Sequence, residues 1–82
     1  MFRTSDLYFA AYLYVAGVPH KGADNDGRRV WFLFEPPDKA SMRDLKDGYY
    51  KDQAKVQALS YTQAVKKMKA LVYQKVGEKM PR

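Results

Sequence analysis

Cysteine is absent from the 82 residues, and histidine occurs once, at His20. The first absence removes a disulfide framework, a thiolate zinc site and a cysteine nucleophile together. The second leaves too few imidazoles for an ordinary zinc centre. Long hydrophobic runs are also lacking. The charge-free stretch Leu7 to Ala16 is about half of the roughly 20 apolar residues that span a bilayer. No basic stretch precedes it and no small-residue cleavage site follows, so neither a membrane segment nor an export signal is expected, and the cytoplasm is the expected location. Acidic residues are scarce in one region only. Gln53 to Arg82 holds Lys55, Lys66, Lys67, Lys69, Lys75, Lys79 and Arg82 against Glu78 alone, while the earlier stretches are each neutral, so the net charge of +6 resides at the carboxyl end. A surface that binds phosphates requires such an asymmetry.

The groups of acid–base and nucleophilic chemistry are missing as constellations. Ser5, Ser41 and Ser60 have no glycine-flanked elbow around them, and each fits a helix cap or an exposed turn. No pair of acids is framed by apolar residues that would raise a pKa. Gly22, Gly27 and Gly48 do not form a phosphate-cradling loop. Asp24-Asn25-Asp26-Gly27, although close to His20, lacks the spacing and the later bidentate acid of a calcium loop, so it reads as a plain turn. A non-enzymatic protein is therefore expected, with no cofactor, no metal and no evident small-molecule substrate.

What is present is aromatic. Hydrophobic residues make up 46% and aromatics 15% of the chain, enough apolar area to offset the entropy of ordering. A chain of this length forms one domain, expected over residues 1–76 with a flexible tail at 77–82. The apolar positions of Phe2 to Gly17 occupy every side of a helix, which makes this stretch the core around which the rest packs. Thr4 or Ser5 is its expected cap, Asp6 adds favourable charge at its start, and Gly17 with Pro19 ends it. Val18 to Ala23 is a weak edge strand, Asp24 to Gly27 a reversal, and Arg28 to Glu35 the better strand. Val30, Phe32 and Phe34 alternate with Arg29, Trp31, Leu33 and Glu35, which sends three hydrophobes to one face, toward the helix. Pro36-Pro37 breaks the strand, and Asp38 caps a short helix expected to end at Asp47 before Gly48, with Met42 and Leu45 inward. A polar connection covers Tyr49 to Lys55. In the last helix Tyr61, Ala64, Val65, Met68, Leu71, Val72 and Val76 form an apolar stripe. The expected class is α+β: an N-terminal helix, a two-stranded antiparallel hairpin, a short helix and a C-terminal amphipathic helix.

With these residues in view, the chain resembles a family of small bacterial and phage-associated domains of unknown function. The resemblance lies in Phe2-Arg3-Thr4-Ser5-Asp6-Leu7-Tyr8-Phe9-Ala10-Ala11-Tyr12-Leu13 with Gly17, in Asp26-Gly27-Arg28-Arg29-Val30 with Phe32 and Phe34, and in Tyr61, Lys69 and Tyr73. It implies the element order and carries no activity or catalytic residue.

Two candidate surfaces follow. Thr62, Lys66, Lys69 and Tyr73 fall at i, i+4, i+7 and i+11, a line beside the buried stripe where two ammonium groups could meet phosphates and a ring could stack on a base. The plain alternative is a solvated helix face whose charge suits the carboxyl end of the dipole. Arg28, Arg29 and Trp31 form the second surface, on the outer face of the hairpin, where Trp31 could equally be covered by the tail or a neighbouring helix. The expected function is nucleic-acid binding, or an accessory role in it, through both surfaces if they adjoin. The alternative is a protein-interaction module with no nucleic-acid role, self-associating or a phage-derived regulator, whose exposed Tyr and Trp side chains make the contact.

Overall fold

The computed structural model describes residues 1–51 and 55–79. The elements run β1 (Phe2–Thr4), α1 (Leu7–Val15), β2 (His20–Asn25), β3 (Val30–Phe34), α2 (Lys39–Tyr50) and α3 (Ala58–Lys79). The class is α+β. The sheet has three antiparallel strands in the order β1-β3-β2, which corrects the two-stranded expectation and its element order. Phe2–Thr4 falls within the stretch expected to form the first helix. It is instead an edge strand, with Phe2 opposite Phe34, Arg3 opposite Leu33 and Thr4 opposite Phe32.

That change moves the start of α1. Asp6 is the N-cap, and its carboxylate accepts from the amides of Tyr8 and Phe9, each at 3.1 Å. Such a cap satisfies amides that the first turn leaves without partners. Thr4 serves one step earlier, its hydroxyl accepting from the Asp6 amide at 3.1 Å. Gly17 follows the helix with φ of 90°, the left-handed conformation expected of a helix stop.

The alternation in β3 determines the two faces of the sheet. Val30, Phe32 and Phe34 are buried, whereas Trp31 and Leu33 are half-buried on the opposite face. Phe32, Phe34, Phe9, Leu13 and Met68 are the largest fully buried side chains, each contributing about 1.5–3 kcal/mol through removal from water. They form one core between the sheet and the helices, with α3 against α1, β2 and β3. Tyr12 of α1 is buried with them, while Tyr8 is 52% exposed. The two rings therefore do not form a joint surface.

The middle helix is longer than expected. It passes through Gly48 to Tyr50, because Tyr49 and Tyr50 stack on Phe9 at 5.1 and 5.4 Å between ring centres. Packing the half-buried Tyr49 ring, with the exposed Tyr50 ring beside it, against Phe9 outweighs the roughly 1 kcal/mol that a helical glycine costs relative to alanine. Tyr61 ties α3 to the same cluster, its hydroxyl donating to the Tyr8 carbonyl at 3.1 Å. At the carboxyl end, residues 77–79 of the expected tail continue α3; residues 80–82 lie outside the described residues. Of the expected polar connection at 49–55, Tyr49 and Tyr50 belong to α2, and residues 52–54 lie outside the described residues.

Candidate nucleic-acid interface

Helical geometry positions the first candidate surface. With 100° per residue, Lys66, Lys69 and Tyr73 fall on the side of α3 that faces away from buried Met68 and Ala64. All three are exposed, Tyr73 at 78%. Lys66 to Tyr73 spans about 10 Å along the axis, or three steps of a nucleic-acid strand at about 3.4 Å per step. No acidic residue occurs in α3 before Glu78, so no carboxylate of the helix itself competes for the ammonium groups along that line. Thr62 belongs to the same side, but its hydroxyl donates to the Ala58 carbonyl at 2.9 Å, a local bond typical of helical threonine.

Lys67 occupies the other flank. Its Nζ donates to the Tyr14 hydroxyl at 2.9 Å and lies 4.6 Å from the centre of that ring. Tyr14 in turn meets the His20 ring edge-on at 5.9 Å, and His20 packs on Phe34 at 5.1 Å. Burial first, and then the Lys67 charge, hold the His20 pKa below its ordinary value, against an opposing pull from the Gly22 backbone. Nε2 of His20 is buried with no hydrogen-bond partner among the described residues, which suits the neutral ring.

The second surface has a different construction. Trp31 lies on the outer sheet face, across from Asp24. Its indole N–H donates to Oδ2 of Asp26 at 2.8 Å, while Oδ1 of Asp26 accepts from the Arg28 and Arg29 amides at 2.9 and 3.0 Å. These bonds, the indole one foremost, hold the Asp26 carboxyl down to about 2. Arg3 lies over the Trp31 ring at 4.5 Å and Arg29 at 5.6 Å, and Arg29 also donates to the Ser5 hydroxyl at 3.3 Å. Guanidinium groups favour the negative face of an indole. Ring and cations thus satisfy one another, leaving Arg28 in the exposed turn as the third member of this set.

The two sets are not brought together. Trp31 and Arg29 lie on the sheet face opposite Phe32, whereas α3 packs on the face that carries Phe32 and turns its lysine line outward from there. The end of the hairpin does reach α3, where the Asn25 side chain donates to the Lys75 carbonyl at 3.3 Å, so the turn that carries Arg28 lies nearer that helix than Trp31 and Arg29 do. Arg3 was missed as a partner of Trp31, because the contact depends on β1 lying beside β3, for which three residues show no period. Asp26 was placed in a turn; its role as the acceptor of the indole had no signal in the sequence. Among the described residues no three His, Asp or Glu side chains converge as a cation site would need, and no helix is long and apolar enough to cross a membrane.

The family described as Domain of unknown function (DUF5659) matches residues 1–74, and the chain belongs to it. No curated protein and no solved structure matches the chain.

Proposed function

We propose that this member of a family without an assigned activity is a small nucleic-acid-binding or accessory protein, and that it binds through the outward side of α3. One observation carries the reading: Lys66, Lys69 and Tyr73 share an exposed line on a 22-residue helix with no acid before Glu78. Two lysines on such a line release condensed counterions when they meet phosphates, and the Tyr73 ring offers a stacking surface for an unpaired base. Arg29 and Trp31 have no part in this contact, since they belong to the far face of the sheet and the ring is already stacked by Arg3. The test is titration of labelled single- and double-stranded DNA and RNA at low and moderate salt. Binding at low salt that weakens steeply as salt rises is the expected result; absence of binding at low salt overturns the proposal.

A second reading is favoured by Leu59 and Val76, which are 70% and 40% exposed on the same helix as Tyr73. Exposed apolar residues of one helix suit self-association. Light scattering across concentration distinguishes the two, because a monomer at all concentrations removes the second.

A further inference from the structure

Away from α3, the amino end of β1 and the first turns of α2 enclose an open groove of about 410 Å³. Its apolar lining comes from Met1, Phe2, Pro36 and Met42. Lys39, Arg43 and Lys46 line it as well, and with Met42 they occupy positions i, i+3, i+4 and i+7 of α2, one face of the helix. The three cations are exposed, and no hydrogen bond or ion pair engages them among the described residues. Asp44 is turned away from this face, whereas Asp47 lies one turn on from Arg43 at i+4 and borders the groove face at its far end.

The dimensions select the ligand. Lys39 to Lys46 covers about 10 Å, too long for one carboxylate head to reach both ends, and matched by three residues of extended chain at about 3.3 Å each. β1 lies at the edge of the sheet, paired on one side only with β3, so its other side presents main-chain groups that an extended segment can engage. The groove is also small, near the lower end of the roughly 300–1,000 Å³ of ligand sites, which suits a single large side chain.

We propose that this groove is a docking site for a short extended segment of a partner protein, in which acidic residues flank one large apolar residue. The apolar side chain rests on Phe2 and Met42, and the flanking carboxylates meet Lys39, Arg43 and Lys46. The site is separate from the lysine line of α3, so either can fail without the other.

The test uses the whole chain and a fluorescently labelled, acetylated pentapeptide of sequence Glu-Gly-Phe-Gly-Glu, whose Glu and Phe side chains share one face when extended, with two controls: Lys-Gly-Phe-Gly-Lys, and the acidic peptide with Phe replaced by Ala. Anisotropy is expected to show salt-sensitive binding of the first and at least about tenfold weaker binding of both controls. Amide shifts in a ¹⁵N NMR titration should centre on Phe2, Met42 and Arg43. The charge-reversed K39E/R43E/K46E chain should lose the acidic peptide and gain the basic one, with its melting temperature reported alongside to verify folding. Equal binding of the alanine peptide, shifts centred elsewhere, or displacement of the peptide by a single-stranded oligonucleotide as the preferred occupant of the groove overturns the proposal. If the reversed chain does not fold, the peptide comparison and the shift map on the native chain decide alone.

Discussion

Asp26 receives the indole N–H of Trp31 and two main-chain amides while fully exposed to solvent, and its carboxyl is held to about 2. The sign of the pH effect follows from that depression. A carboxylate bonded in the folded state stabilises it above the ordinary carboxyl range, and this contribution is lost as pH falls through the folded value. The indole N–H resonance of Trp31 should therefore titrate with a midpoint near pH 2 in the native chain and lose that titration in D26N. His20 acts in the opposite sense. Its pKa is lowered by burial and by Lys67, so below the ordinary histidine pKa the unfolded chain binds the proton more readily and stability declines. Urea unfolding at pH 8 and pH 5 should give a lower midpoint at pH 5, and H20F should flatten the part of that difference due to this ring. A histidine that titrates at or above its ordinary value by NMR contradicts this account.

At the scale of elements, what could be read in the sequence was whatever local spacing determines. The Val30, Phe32, Phe34 alternation and the Tyr61 to Val72 stripe both place their side chains inward, and Ala64 and Met68 of that stripe are fully covered. β1 escaped because Phe2–Thr4 is too short to show a period and pairs with a strand some 30 residues distant. The end of α2 escaped because Gly48 looks like a stop, whereas the aromatic packing of Tyr49 and Tyr50 on α1 carries the helix past it. The glycine can be tested directly. A Cβ at Gly48 would have nothing within 4 Å, so G48A should stabilise the protein by about 0.5–1 kcal/mol; Gly27 has φ of 95°, and G27A should destabilise it by roughly 1–2 kcal/mol. Met68 provides the packing test. Fully buried beneath α1 and β3, it should cost about 2–5 kcal/mol on replacement by alanine, and differential scanning calorimetry would then show a loss of about 8 °C or more. Little change in melting temperature would mean that α3 is not packed as described.

For the molecule as a whole, whether the two candidate surfaces adjoin was not legible in the sequence. Sequence spacing assigns a residue to a face of its own element and does not say which faces adjoin; that depends on which side of the sheet receives α1 and α3. Once Phe32 and Phe34 turn toward the helices, Trp31 and Arg29 must turn away from them. Of the lysines in the last thirty residues, Lys66, Lys67, Lys69, Lys75 and Lys79 belong to α3, and the Arg3, Arg29 and Trp31 stack contributes to the stability of the outer sheet face. The salt dependence of binding separates these roles. Measured against a duplex and a single strand between about 50 and 200 mM salt, log K of the native chain should fall with log salt at a slope of about 2 or more, and K66Q/K69Q should reduce that slope by nearly 2 while keeping its melting temperature. R3Q/R29Q, an equal change of charge around Trp31 on the opposite face, should leave the slope nearly unchanged; a slope that responds to R3Q/R29Q and ignores K66Q/K69Q would contradict the assignment of the binding surface to α3.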